Sequence, residues 1–177
     1  DPSVTAVSGK LAEVLAARTN ANISGIGAQK AIISDAITSA EMADLDNRFT
    51  KEITATISDN YLDQLASITK DHVKSNLTIT VKGDDSTKPT ERTVKAADLK
   101  TLIDKIADTT VTTVDASTLT GSESEVTAVV NLDKTAATPK LSGLDTIAVT
   151  VSGGKTTAAN TLAKINNVIE KAGVVTA

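Results

Sequence analysis

Residues 53–80 have the sequence ITATISDNYLDQLASITKDHVKSNLTIT, and this stretch contains the pattern that decides the fold. At both of its ends apolar residues alternate with threonine, as in the segment ITATI at 53–57. Alternation with β-branched residues is typical of a half-buried β-strand. Between the two ends, apolar residues recur at helical spacing, at Leu62, Leu65 and Ile68. That spacing places them on one face of a helix, so the stretch predicts a strand, a helix and a second strand.

The same strand pattern recurs along the whole chain. Its central residues are Val7, Ile33, Ile57, Val81, Val114 and Val151. The spacings between them are 26, 24, 24, 33 and 37 residues. The two longer spacings contain turn-rich segments with proline at 83–93 and 133–143, which we interpret as insertions. A fixed period of this length indicates a repeat architecture.

An apolar stripe at helical spacing follows each strand, and Ser122 with Glu125 predicts a capping box at the start of one helix. Strands joined by a single helix must be neighbours, parallel and connected by right-handed crossovers. Each strand has one apolar face, so the helices all cover the same side of the sheet. We therefore predict an α/β fold, a βα solenoid of about six 24–26-residue repeats with a parallel sheet and helices on one face. The alternative is a doubly wound α/β domain, in which strands are usually apolar on both faces.

Composition limits the possible functions. The 177 residues include 28 Thr and 25 Ala, a single His and no Cys, with 1% aromatic residues and a net charge of −4. Zinc, iron–sulfur and haem sites lack their usual ligands, so no cofactor or metal is predicted. Nucleic-acid binding is disfavoured by the acidic balance and the lack of stacking side chains. No apolar run is long enough to cross a membrane, so no membrane insertion is expected.

Residues 1–177 are predicted to form a single repeat-array domain. The chain begins Asp1-Pro2-Ser3 without Met, and we interpret it as a fragment of a larger protein. Its expected partners are then the neighbouring repeats of the parent chain. As an isolated segment it should be a monomer or associate weakly end to end, because open strand edges can pair with further strands.

The segments at 33–56 and 57–80 share the order T-[IV]-[ST]-D, then L-x-x-L-x-x-I, then a Thr-rich strand. In this order they resemble the degenerate strand–helix repeats of very large cell-surface proteins of marine cyanobacteria, including haemolysin-type and adhesin-like ones. The resemblance implies a secreted, structural component of the cell surface without catalytic activity. The Gly- and Asp-rich nonapeptides that bind calcium in haemolysin-type proteins are missing from this sequence, so a calcium role is not carried over.

The candidate site is a column of threonines that occupies the same place in successive strands. That place is held by Thr56, Thr80, Thr113, Thr150 and Thr176. Two residues earlier, Thr54 and Thr78 begin a second column, which Val111, Ala148 and Val174 interrupt. On a parallel sheet such residues form ladders with a spacing of about 4.8 Å. A Thr-rich face of this kind suits contact with a glycan, ice or a mineral, which gives a surface-binding module as the alternative function. Threonine also simply fits an exposed strand face, so the column alone does not establish binding.

Three other patterns have weaker chemical meaning. Asp84-Asp85-Ser86 could contribute to calcium binding, but the alternating ligands and distal Glu of an EF-type loop are missing. His72 has no nucleophile at a recognisable spacing. Gly153-Gly154-Lys155-Thr156-Thr157 resembles part of a phosphate-binding loop, but Val149 stands where the first glycine belongs. We interpret these segments as loops and turns. An enzyme with an unrecognised site is the third hypothesis, and a flagellin-like filament protein, on composition alone and without its long coiled-coil termini, is the fourth.

Overall fold

The computed structural model describes residues 4–68, 75–106, 111–134, 141–152 and 175–176. In chain order, the elements within these ranges are five helices and ten strands, some of them only two residues long. They are β1 (Ala6–Gly9), α1 (Leu11–Thr19), β2 (Lys30–Ile37), α2 (Ser39–Arg48), β3 (Ile53–Ile57), α3 (Leu62–Leu65), β4 (Asn76–Val81), β5 (Thr93–Lys95), α4 (Ala96–Lys105), β6 (Val111–Val114), β7 (Thr118–Gly121), α5 (Glu123–Lys134), β8 (Leu141–Ser142), β9 (Ala148–Val151) and β10 (Val175–Thr176). Short 3-10 turns at Ile26–Ala28 and Leu144–Thr146 precede β2 and β9.

The strands form two sheets, and every pairing between them is parallel. The first sheet has six strands in the order β1-β2-β3-β4-β6-β8, and the second has four in the order β10-β9-β7-β5. The prediction of an α/β fold with parallel strands is confirmed. The strands centred on the first five predicted positions, Val7 to Val114, are neighbours in sequence order within the first sheet, also as predicted.

The predicted position of the last strand, next to the strand of Val114 in the same sheet, is wrong. Val151 belongs to β9, which pairs with β7 in the second sheet, and the strand beside β6 is the short β8. The expectation of a single sheet fails here because the later units contain two strands. After Val114 the chain turns and forms β7 before it enters a helix. Alternation of apolar and polar residues shows which face of a strand is buried, but it does not show in which of two sheets the strand lies.

The core lies between the inner faces of the strands and the helix stripes. Side chains on both sides are fully buried: Leu77, Ile79 and Leu119 from the strands, and Leu65 and Leu99 from the helices. The predicted helical stripes that fall in the described residues are buried or partly buried. The outer face of the first sheet is exposed, so its strands have one buried face and one open face, as the alternation predicts.

The aspartate of the T-[IV]-[ST]-D pattern connects consecutive units. The Asp35 carboxylate, at the register shift within β2, accepts a hydrogen bond from the N–H of Leu11 at 2.8 Å. The Asp59 carboxylate accepts from the N–H of Ser39 at 2.7 Å and from its hydroxyl at 2.6 Å. Each carboxylate thus caps the first turn of the preceding helix, where free N–H groups and the helix dipole favour a negative charge. The capping box predicted within α5 is also present, with the Ser122 N–H donating to the Glu125 carboxylate at 2.8 Å.

The predicted insertion at 83–93 is a loop whose ends lie side by side. Gly83 pairs with Tyr61, and the N–H of Asp84 donates to the carbonyl oxygen of Thr93 at 3.0 Å. The last residue of this segment belongs to a strand and not to an insertion, because β5 begins at Thr93. The second predicted insertion, 133–143, likewise contains β8 at its end, and residues 135–140 lie outside the described residues.

Two parts of the chain, one near each end, have similar sequences and the same register of strand pairing. SGKLAEVLA at 8–16 matches TGSESEVTA at 120–128, and ISGIGAQKAIIS at 23–34 matches LSGLDTIAVTVS at 141–152. The pairing Gly9↔Ile33 of β1 with β2 corresponds to Gly121↔Val151 of β7 with β9. The pairing Ile32↔Thr54 of β2 with β3 corresponds to Thr150↔Thr176 of β9 with β10. We call β1-β2-β3 with α1 the N-terminal unit, and β7-β9-β10 with α5 the C-terminal unit.

Candidate functional site

The exposed outer surface of the first sheet is built from side chains of all six strands, and we call it the threonine face. Backbone register arranges these side chains in three rows that run across the strands. The first row is Ser8, Ile32, Thr54 and Asn76; the second is Ala36, Thr56, Thr78 and Val111; the third is Thr80, Thr113 and Ser142.

The threonine face has hydroxyl, amide and aliphatic groups and no charged side chain in these three rows. Lys30 lies at its rim, where it forms an ion pair with Glu52 at 3.3 Å. Ile32 is 43% exposed and Val111 is 48% exposed. Such a surface can donate and accept hydrogen bonds and can also contact apolar groups, while it offers no fixed charge to a ligand.

The predicted threonines lie in different rows and in different sheets. Thr54, Thr56 and Thr78 are in the first two rows, and Thr80 with Thr113 is in the third. The hydroxyls of Thr113 and Ser142 are hydrogen-bonded at 3.3 Å. The structure therefore brings five of the seven predicted residues onto one surface.

Thr150 and Thr176 are not part of this surface, which corrects the prediction of a single column. They pair with each other in the second sheet, where Thr120 is the other neighbour of Thr150. The side chain of Thr150 is exposed, and Thr176 is described only by its backbone pairing.

Register explains the remaining correction. Spacing by 24 residues aligns Thr56 with Thr80, but the structure pairs Thr56 with Thr78, because Ala55 lies opposite Leu77 in the core. A shift of two residues keeps every side chain on its own face of the sheet, so the alternating pattern is equally satisfied by both registers. The five predicted threonines on this face are consequently spread over three rows, with Thr56 in the second row and Thr80 and Thr113 in the third.

A second candidate is a cleft of about 360 Å³ beside α3 and α4. Aspartate and lysine side chains of α3, α4, β5 and the 83–93 loop line it, namely Asp63, Asp84, Asp85, Asp98, Lys95 and Lys105. The sequence pattern identified Asp84 and Asp85 but missed Asp63, because the two segments are about twenty residues apart and meet through backbone contacts. The N–H of Asp63, for example, donates to the carbonyl oxygen of Asp84 at 3.0 Å.

Local hydrogen bonds occupy the carboxylates of this cleft. The hydroxyl of Ser86 donates to Asp63 at 2.6 Å and lowers the pKa of that carboxyl group. The hydroxyl of Thr87 donates to Asp85 at 2.6 Å, with the same effect on the pKa of Asp85. Asp84 accepts the N–H of Lys95 at 3.0 Å, and partial burial raises its pKa. These bonds hold the loop in place. Across the described ranges, no group of three or more potential ligands is placed to bind a metal ion.

The other sequence candidates cannot be compared with the structure. His72 and the segment 153–157 lie outside the described residues. Among the helices that are described, none is both long and apolar enough to cross a membrane. Comparisons with protein-family models, with curated proteins and with solved structures find no match to this chain.

Proposed function

We propose that this chain is a structural repeat segment of a large bacterial extracellular or cell-surface protein, built as a solenoid of strand–helix units and without a catalytic role. The main support is that consecutive units are joined by strand pairing and by helix capping. The strands of the first sheet follow one another in chain order, and Asp35 and Asp59 each cap the helix of the unit before. Units that complete each other in this way are characteristic of repeat arrays.

Two further features support a structural role. The core is assembled from Ala, Val, Ile and Leu with few aromatic residues, so a unit on its own buries little apolar surface and relies on its neighbours. The units at 33–56 and 57–80 resemble the repeats of cyanobacterial surface proteins in the order of their elements.

The location is tested on the cells from which the sequence comes. Antibodies raised against the purified chain should label intact cells, and external protease should remove the label. A signal that appears only after the cells are opened would contradict the proposed location. Repeat units flanking this segment in the full-length polypeptide would support the solenoid, and flanking sequence of a different pattern would count against it.

A second candidate function is the binding of a cell-surface glycan by the threonine face. It is favoured by the uncharged rows, in which Thr56 lies beside Thr78 and Thr80 lies beside Thr113. Hydroxyl groups and aliphatic carbons in such rows complement a polysaccharide, which presents the same two kinds of group.

Titration with polysaccharide from the same cells separates the two functions. The double variant Thr56→Lys with Thr78→Lys introduces two charges in the middle row and should abolish binding. A matched control places the same charges on exposed helix and loop positions, Ala12→Lys with Ser67→Lys, and should bind as the unaltered chain does. Absence of binding by the unaltered chain, or equal loss in both variants, would contradict a role of the threonine face.

A further inference from the structure

Two places in the sequence have the order Asn-x-Ser/Thr, which is the acceptor for attachment of an oligosaccharide to asparagine. They are Asn22-Ile23-Ser24 and Asn76-Leu77-Thr78. An order this short also arises by chance in a chain rich in threonine, so the sequence does not distinguish the two. The structure does distinguish them, because a transferase must reach both the asparagine amide and the hydroxyl group two residues later.

The first acceptor sequence lies in a segment that is exposed along its whole length. All residues from 18 to 25, which run from the last turn of α1 to the 3-10 turn before β2, are exposed. Even the apolar side chain of Ile23 is 45% exposed. A Cβ at Gly25 would meet nothing within 4 Å, so there is open space directly after Ser24. An attached sugar therefore has room beside this loop.

The hydrogen bonds of this loop are local and leave the reacting groups free. The N–H of Ile23 donates to the carbonyl oxygen of Asn20 at 3.0 Å, and the N–H of Asn22 donates to the side-chain oxygen of Asn20 at 2.9 Å. Within the described part of the chain, neither the side-chain amide of Asn22 nor the hydroxyl of Ser24 has a hydrogen-bond partner. A loop with internal bonds of this kind can change conformation without disturbing the sheet.

The second acceptor sequence is part of the ladder of the first sheet. Asn76 pairs with Thr54, and Thr78 pairs with Thr56. The side chain between them, Leu77, is fully buried. A transferase can bind this segment only after β4 has left its neighbours and Leu77 has left the core. Such an opening is a partial unfolding of the sheet and is populated far less often than a rearrangement of an exposed loop.

We propose that Asn22 is an acceptor for an N-linked oligosaccharide and that Asn76, in the folded chain, is not. In the transfer, Nδ2 of Asn22 forms a bond to C1 of the first sugar, and the bond between C1 and the pyrophosphate oxygen of a lipid-linked donor breaks. The amide proton passes to a base of the transferase, and the lipid pyrophosphate leaves. Modification in the source cells rests on the proposed extracellular location, whereas the acceptor property of the folded chain does not depend on it.

Transfer to the purified, folded chain tests this assignment. The chain is incubated with a lipid-pyrophosphate-linked oligosaccharide and a transferase specific for Asn-x-Ser/Thr, then digested with trypsin and analysed by mass spectrometry. Cleavage after lysine and arginine places the two acceptors on the separate peptides 19–30 and 75–82. The occupancy of peptide 19–30 should exceed that of peptide 75–82 by about tenfold or more, because only the second acceptor must wait for the sheet to open. The same two peptides, offered as unfolded controls, should both accept the sugar.

Variants at the hydroxyl position separate the acceptor from its surroundings. Ser24→Ala should abolish transfer to peptide 19–30, and Ser24→Thr should retain it. Thr78→Ala is the matched control and should leave this transfer unchanged. A folded chain that takes up no sugar, equal occupancy of the two peptides in the folded chain, or transfer to peptide 19–30 that persists in Ser24→Ala would overturn the proposal. Transfer to Asn22 in this assay, together with a chain that is found only inside its source cells, would support the acceptor and count against the proposed location.

Discussion

The N-terminal and C-terminal units have the same sequence pattern and the same strand register, yet they belong to different sheets and have different surroundings. In both units a glycine ends the first strand, a glutamate caps the following helix, and an Ser-Gly turn leads into the next strand. The C-terminal unit is covered on its outer side by β5, and α4 packs against α5. In these two units, local sequence therefore determines register and capping, whereas neighbouring elements determine burial.

The largest expected difference between the units is in the stability lost when a matching strand residue, Leu119 or Val7, is truncated to alanine. Leu119→Ala should lower the free energy of unfolding by about 2–5 kcal/mol, because the side chain is fully buried against Val94. Val7→Ala should lower it by about 1 kcal/mol, since Val7 is half-buried and loses less apolar contact. Urea unfolding of both variants measures the difference. Equal losses would contradict the difference in burial between the two side chains.

The two Ser-Gly turns provide the next comparison. Gly25 and Gly143 both have left-handed backbone, with φ of 78° and 89°. A Cβ at residue 143 would overlap the carbonyl oxygen of Val114, whereas a Cβ at residue 25 would meet nothing within 4 Å. Gly25→Ala should therefore cost about 1 kcal/mol, from the backbone alone. Gly143→Ala should cost more than about 3 kcal/mol, because the clash adds to the same backbone strain. Thermal unfolding compares the two, and a smaller loss for Gly143→Ala would contradict the close approach of β6.

Much of the fold follows from the sequence because its signals are local. The alternation in β4 and the helical spacing in α4 identify the buried faces of both elements, and the burial of Ile79 and Leu99 confirms them. The second sheet was missed since its edge strand β5 is only three residues long and lies at the end of a segment rich in turn residues. The two-residue β8, which takes the place beside β6 in the first sheet, was missed for the same reason. A strand of that length leaves too short a pattern to recognise.

The candidate site was predictable in its residue types and not in its geometry. Threonine at alternate positions indicates an exposed face, and five of the seven predicted threonines lie on it. The rows depend on the pairing of Ala55 with Leu77, and this pairing cannot be deduced from the repeat length. In the cleft, Asp84 and Asp85 stand out in the sequence and Asp63 does not, because its segment lies about twenty residues earlier and meets theirs only in the folded chain.

The next effect is smaller and has the opposite sign: replacing a buried polar residue in the core of the later units should raise the free energy of unfolding. The inward row Ile79, Thr112 and Leu141 contains a fully buried threonine whose hydroxyl has no hydrogen-bond partner among the described residues. Thr112→Val should raise the free energy of unfolding by about 1 kcal/mol, because it removes an unsatisfied polar atom and keeps the shape. Thr113→Val is the control on the outward side, where the hydroxyl bonds to Ser142, and should give no gain. A loss of stability in Thr112→Val would show that its hydroxyl has a partner in solution.

The smallest effect is expected at the capping glutamates, where the units agree most closely. Glu125 accepts the N–H of Ser122 at 2.8 Å, and Glu13 accepts the N–H of Lys10 at 2.9 Å. The hydrogen bonds from Ser122 lower the pKa of Glu125 below its usual value of 4.5.

A carboxyl group with a lowered pKa in the folded state contributes stability above its unfolded pKa and loses it as the pH falls through the folded one. Glu125→Gln should therefore lower the melting temperature slightly at neutral pH, and the difference should shrink as the pH falls below the usual pKa of the group. Glu123→Gln removes a charge from the same turn without this bond, and it serves as the control for the charge alone. Glu13→Gln should have a smaller effect still, because α1 lies at the open end of the sheet and is less firmly packed than α5. A melting-temperature difference for Glu125→Gln that stays constant from neutral to acidic pH would contradict the role of its charge in capping the helix.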